Sequence, residues 1–183
     1  MRVFAEKGFA RATNKDIADE AGITPGLIYH YFPSKQALLQ AIVDARSPAR
    51  LIRSFPVEML AQPPEPMLRF MALRMLAFAE EEAFVRVLRV FLSESIHNPE
   101  ISALVSVPVQ AATQLLGDYV TAKMESGELR RTDPALVAQM FFGSIMSVVL
   151  RRQIMRDPAG LEFTHEQIAE NIVDTTLRGL LPR

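Results

Sequence analysis

Thr13-Asn14-Lys15-Asp16-Ile17-Ala18-Asp19-Glu20-Ala21-Gly22-Ile23-Thr24-Pro25-Gly26-Leu27-Ile28-Tyr29-His30-Tyr31-Phe32-Pro33-Ser34-Lys35 is the stretch on which the fold turns. Thr13 followed by Asp16 has the spacing of a capping box, a helix start in which two side chains satisfy orphan backbone N–H groups. Ile17, Ala18 and Ala21 give the helix one apolar face, and Ala18 is small enough to let another helix cross closely. Gly22 stands where a left-handed residue ends a helix, and Ile23 is expected to plug the turn into the core. Thr24 as N-cap with Pro25 at the first helical position then starts a second helix. Two short helices joined by a three-residue turn containing glycine make a helix-turn-helix, whose second helix can enter a major groove.

The second helix divides its residues in a way that suits that use. Ile28 and Phe32, four apart, are expected to face a small core with Phe4 and Phe9. Thr24, Tyr29, His30 and Tyr31 occupy the other face, with side chains that hydrogen-bond or lie flat on sugars and thymine methyls. Ser34 caps the following helix and Lys35 stands at its start. Free N–H groups, the helix dipole and a full charge there make a natural phosphate site. Thr13, Asn14 and Lys15 occupy the same kind of position on the first helix of the pair.

Outward from this core the chain reads as helical almost throughout, divided by proline and glycine. A first helix ends near Gly8, and a fourth follows Ser34 to about Arg46, with Pro48 as its stop. Ser54–Pro66, with four prolines, is the linker candidate. Longer helices suit residues 67–82, 83–96, 101–126, 134–156 and 165–180, and Pro108 is expected to kink or break the third of them. The fold class is therefore all-α. Its domains are a three-helix DNA-binding domain with a connecting helix over residues 1–46, and a larger helical domain over 47–183.

The chain has 183 residues, 49% of them hydrophobic, and no cysteine. Such a composition excludes general disorder, disulfide scaffolds and thiol chemistry, and is compatible with a reducing cytoplasm, the expected location. No uninterrupted apolar run reaches the roughly 20 residues that span a bilayer, so no membrane partner is expected. The N-terminus also lacks the apolar stretch of a signal peptide. A formal net charge of −1 argues against nucleic acid, but the average conceals a division. Residues 1–53 hold eight Lys/Arg against five Asp/Glu, a net of +3, and the rest is −4. Charge asymmetry of this kind points to a nucleic-acid-binding part joined to something else.

Phe4-Ala5-Glu6-Lys7-Gly8-Phe9, Thr13, Asp16 to Ile23 and Gly26 to Leu39 together resemble the DNA-binding domain of the tetracycline-repressor (TetR) family of bacterial transcription regulators. The resemblance covers about the first quarter of the chain. It implies an all-helical homodimer in which three short helices bind operator DNA and a larger helical domain binds a small effector and dimerises. By position, Lys15, Tyr29, His30 and Tyr31 match base- or backbone-contacting places, and Thr13, Asn14, Thr24 and Lys35 match phosphate-contacting ones. Leu27 stands where the family often has threonine, which replaces a polar contact by an apolar one. The family's first helix begins two or three turns earlier, so the resemblance implies either a shortened first helix or residues ahead of Met1.

No catalytic residue is assigned. His30, His97 and His165 are far apart and lack ligand spacing, so no metal is expected, and no cofactor motif is present. Glu80-Glu81-Glu82 reads as a solvated helix end. In the larger domain Met71, Met75, Phe78, Phe91, Tyr119 and Phe141 suit an adaptable pocket for a mostly hydrophobic effector, although such residues at helical spacing also build cores. Gln139, Phe142, Gly143, Met146, Ser147 and Leu150, with Ile168, Ile172 and Thr175, combine small and apolar residues on one stripe of each of the last two helices. Two such helices from each of two subunits make a four-helix dimer interface, as the resemblance implies. The function expected is a ligand-responsive DNA-binding regulator that represses until an effector releases it. A helical sequestering module that has lost DNA binding is the alternative.

Overall fold

A computed structural model describes residues 2–46, 54–95 and 98–181. Nine α-helices run through those residues, with no strand among them: α1 Arg2–Arg11, α2 Asn14–Ala21, α3 Pro25–Tyr31, α4 Lys35–Arg46, α5 Pro64–Ala79, α6 Glu82–Glu94, α7 Pro99–Glu125, α8 Pro134–Val149 and α9 His165–Leu180. A 3₁₀ turn, Val57–Ala61, occupies part of the expected linker. Pro48 and His97 lie outside the described residues.

Local chemistry explains the helix ends. Thr13 Oγ1 accepts from the Asp16 N–H at 3.1 Å while Asp16 Oδ2 accepts from the Thr13 N–H at 3.0 Å, completing the capping box. Gly22 closes α2 with φ +66°, and the Ile23 N–H reaches back to the Ala18 carbonyl at 3.0 Å. Ile23 itself is 40% exposed, so the turn is held by backbone bonds and not by that side chain. Ser34 Oγ accepts from the Ala37 N–H at 3.0 Å. Asp133 caps α8 through the Ala135 and Leu136 N–H groups, and Thr164 with Gln167 forms the capping box of α9. Pro64 and Pro66 sit in the first turn of α5, where a missing N–H costs nothing.

The helices pack into two units. The first joins α1–α4 with α6 and α7 as far as Pro108; the second holds α5, the rest of α7, α8 and α9. A boundary at residues 46/47 is therefore too simple. Val87 and Val90 of α6, with Ile101 of α7, bury themselves with Val3 and Phe4 of α1 and Leu39 and Val43 of α4. Apolar burial at about 25 cal/mol per Å² rewards that packing wherever its members stand in the sequence. Phe9 and Phe91 pack on this cluster. Ala18, Ile28 and Leu38 form a separate one with Phe32 at its edge, so α3 does not share its core with Phe4 and Phe9 as expected. Ile17 and Ile42 touch both clusters and link them.

In the second unit α5 packs against α8 and α9. α7 runs unbroken across Pro108. A proline inside a helix costs about 3 kcal/mol through the lost backbone bond and the ring clash together; Ile101 before it, and Ala112, Leu116, Tyr119 and Val120 after it, are buried. α8 ends in a π turn, Leu150–Ile154, instead of continuing as α-helix to residue 156. Arg152 of that turn is buried; it donates to Glu80 Oε1 at 3.0 Å and to the Phe163 carbonyl, and His165 Nε2 lies 2.9 Å from the same Glu80 oxygen. Glu80, exposed at the end of α5 as expected, also ties that helix to the π turn and α9.

Asp16 carries the pH dependence of the α2 cap. Its hydrogen bond from Lys7, at 2.7 Å, and then those from the Thr13 N–H and hydroxyl hold its carboxyl well below the usual carboxylate range. A depressed folded-state value means the contribution is complete above the ordinary value near 3.8 and is lost as pH falls below it. Asp16→Asn is expected to lower Tm by a constant amount between pH 8 and pH 5. Thermal melts below pH 3.8 should show that gap narrowing.

Candidate nucleic-acid interface

α3 is seven residues long and only Ile28 of it is buried. A helix this short is held by packing rather than by its own hydrogen bonds. Ile28 on Ala18 anchors it, with Phe32 just past its end. Everything else on it faces outward: Tyr29 is 60% exposed, Tyr31 68%, and Leu27 41%. His30 is exposed and meets the Tyr31 ring edge-on at 5.0 Å. The two tyrosines give this short helix a large exposed aromatic surface. Thr24 makes no side-chain capping bond, so its hydroxyl stands at the start of α3 beside backbone N–H groups.

Around the first helix of the pair the expected phosphate contacts separate. Lys15 is exposed at the N-terminus of α2. Asn14 is half-buried, and its side-chain oxygen is shielded and without a hydrogen-bond partner among the described residues. Thr13 has committed its hydroxyl: it accepts from the Asp16 N–H and donates to Asp16 Oδ2 at 2.8 Å. Lys35 differs most from expectation. Its ammonium donates to the Phe9 carbonyl at 2.5 Å, Ala10 at 3.1 Å and Ala12 at 3.0 Å, and lies 4.6 Å from the centre of the Phe9 ring. An ammonium has three donors, and all three are used. Lys35 clasps the C-terminal end of α1 to α4. Of the residues expected to contact DNA, Lys15, Thr24, Tyr29, His30 and Tyr31 are exposed, with Leu27 beside them.

Elsewhere the expected residues also divide. Met71, Phe78, Tyr119 and Phe141 are buried and Met75 half-buried, all in the second unit. Tyr119 gives its hydroxyl to the Gln62 carbonyl at 2.9 Å, and burial pushes the phenol's pKa up. Phe91 packs on the α1–α4–α6 cluster of the first unit, which accounts for it as core and removes it from the pocket set. A groove of about 780 Å³ runs between α7 and the start of α8, open to solvent and lined by Gln110, Thr113, Gln114, Asp118, Thr121 and Asp133 among others. It shares none of the residues expected to line a pocket.

Of the expected interface residues, Gln139, Gly143, Ser147 and Thr175 are exposed, and Phe142, Met146, Leu150 and Ile172 half-buried. Ile168 is buried with Ala169 and Val173 in its own unit, because it sits on the inward side of the α9 turn. Two residues that the expectation omitted, Leu136 at 57% and Met140 at 73%, extend the exposed α8 stripe; each lies three residues before an expected one, Gln139 and Gly143, a spacing that would have found them. The 21 residues from Pro134 to Ile154 are long and apolar enough to cross a membrane by length and composition, yet only 22% of the most apolar window is buried.

Residues 1–42 match the family described as bacterial regulatory proteins, tetR family, and residues 66–179 match the C-terminal domain of AefR-like transcriptional repressors. The chain belongs to the TetR family of transcriptional regulators. Among its relatives is the HTH-type transcriptional regulator UidR of Escherichia coli (strain K12), 27% identical over 129 residues. That alignment covers 69% of this chain and 63% of UidR, so the chain spans less than two thirds of that relative's length. Solved structures share the fold. FadR of Bacillus subtilis in complex with stearoyl-CoA superposes with a TM-score of 0.77 at 21% identity, covering 97% of this chain and 94% of FadR. The SmeT–triclosan complex gives 0.77 at 21%, covering 99% and 87%.

As a member of the TetR family, the chain is expected to split its two lysines by role. Lys15→Ala should leave Tm unchanged and reduce the salt dependence of DNA binding by about 0.9 in log–log slope for each phosphate no longer neutralised. Lys35→Ala should leave the slope unchanged and destabilise the fold by on the order of 2 kcal/mol, the scale of hydrogen bonds to a charged group. Salt titrations and thermal melts on both variants check this; a reduced slope for Lys35→Ala would return it to the phosphate-binding set.

Proposed function

We propose that this regulator is a homodimeric repressor that a small, mostly hydrophobic effector releases from a palindromic operator. The observation that carries the effector reading is the interior of the second unit, where Met71, Phe78 and Phe141 are buried and Met75 is half-buried. Thioether side chains repack at low cost, so an interior built on them can open for an apolar guest. FadR holds stearoyl-CoA and SmeT holds triclosan; both ligands carry large apolar parts, which supports the same class here. The match of residues 66–179 to a repressor's C-terminal domain favours repression over activation.

The exposed stripe of α8 supports the homodimer. Leu136, Met140 and Gly143 lie three and four residues apart on one side of an apolar helix, and a second copy of the same helix is the partner that a two-fold interface requires. Two copies would place two α3 helices about 34–36 Å apart, one turn of B-DNA, and so read paired half-sites. An effector that binds better to a differently spaced arrangement moves the population off DNA, and DNA weakens effector binding by the same factor. A cytoplasmic location follows from operator DNA as partner.

Two measurements test this. A duplex recovered by genomic selection, titrated in the presence of long-chain acyl-CoAs and of chlorinated phenols, should lose at least tenfold in affinity with a member of one class. Failure to recover any specific duplex would overturn the regulator's DNA-reading role. Light scattering should give twice the 20.5 kDa chain mass, and Met140→Glu or Gly143→Glu should halve it; a monomeric wild type at micromolar concentration contradicts the dimer.

A further inference from the structure

α1 is interrupted at Gly8, whose φ of +77° and ψ of 161° belong to a region that only glycine enters readily. The break takes the Phe9 N–H out of the helical ladder. Glu94, the last residue of α6 and 85 residues away, receives it: its Oε1 accepts from the Phe9 N–H at 2.9 Å. The carboxylate also presses against the glycine, since a Cβ on Gly8 would stand 2.8 Å from the same oxygen. Glycine is therefore required at this position by the backbone angle, while a Cβ would meet only the flexible end of the Glu94 side chain.

The turn that follows, Phe9 to Ala12, is held at both ends. Its leading N–H is on α6 through Glu94, and its carbonyls are on α4 through Lys35. It closes on itself by the Ala12 N–H to the Gly8 carbonyl at 3.2 Å, and buried Ala12 leads directly into Thr13, the N-cap of α2. α2 in turn carries α3 through Ala18 and Ile28. One short turn thus separates Glu94 from the helix pair that reads DNA, and the orientation of that pair depends on where the turn is pinned.

We propose that Glu94 is a positioning residue for DNA reading: its hydrogen bond to the Phe9 N–H pins the α1–α2 junction to α6 and so sets the angle at which α3 presents Tyr29 and Tyr31. Charge alone predicts the reverse effect. Glu94 places a negative charge in the unit that meets the phosphates, so electrostatics says that removing it strengthens binding to any DNA. Positioning says that removal weakens specific reading and leaves sequence-independent binding intact, because phosphate contacts tolerate a small tilt and base contacts do not.

The test uses the full chain, a duplex selected by the wild type from a random-sequence pool, and a shuffled duplex of the same composition, at one fixed salt concentration. Glu94→Ala is expected to weaken binding to the selected duplex at least tenfold while binding to the shuffled duplex stays within twofold or tightens. Glu94→Gln keeps an oxygen acceptor and loses the charge, and is expected to stay within threefold of wild type on both. Tighter binding by both variants to both duplexes would overturn the proposal in favour of a charge effect, and equal losses for Ala and Gln would overturn it because the acceptor that Gln retains fails to rescue reading. Equal losses by Glu94→Ala on both duplexes, with a collapsed circular-dichroism signal, would overturn it in favour of simple unfolding. Wild-type affinity of Glu94→Ala for the selected duplex would refute it outright.

Discussion

The clasp of Lys35 on the carbonyls of Phe9, Ala10 and Ala12 is the interaction on which the reading head depends. The short helices α1–α4 have little apolar area of their own and bury part of it against α6 and α7. A charged donor with every N–H satisfied gives them a directional constraint that apolar packing cannot. The helix end that it caps would otherwise leave carbonyls without partners. With α1 fixed to α4, the Lys7–Asp16 pair and the Thr13–Asp16 capping box fix α2, and Ala18 fixes α3. What remains free is the outward face of α3.

That arrangement separates two duties that the amino-acid types alone do not distinguish. Thr13 and Lys35 look like phosphate ligands and hold the scaffold; Lys15 and Thr24 look the same and are left available. A regulator needs this separation, because the geometry with which base edges are met has to survive repeated release from the phosphates. Tyr29 and Tyr31, large and exposed, stand on a helix anchored through Ile28 and Ala18.

The helix-turn-helix was legible because its signals act within a few residues of one another. Thr13 and Asp16 are three apart, Gly22 closes the helix that precedes it, and Thr24-Pro25 starts the next. The same holds for Asp133-Pro134 and for Thr164 with Gln167. Sequence failed where a residue's partner lies far along the chain. Lys35 reaches back 26 residues to Phe9, and Glu94 reaches 85; neither distance leaves a periodic trace. Phe91 and Ile168 failed for a related reason, since apolar residues at helical spacing carry no mark saying which face meets core, ligand or a second subunit. α7 continues as α-helix through Pro108, so the break that the local rule allowed does not occur. Arg152 in a π turn, with Glu80 and His165, had no sequence signal at all.

The proposed function rests on α3 reading paired half-sites from a two-fold assembly. Hydroxyl-radical footprinting on a duplex selected by the wild type tests it most directly. Two protected patches related by a dyad are predicted, with centres about 10 base pairs or a multiple of that apart on one face of the helix. A single asymmetric patch, or protection that does not follow sequence, would contradict it.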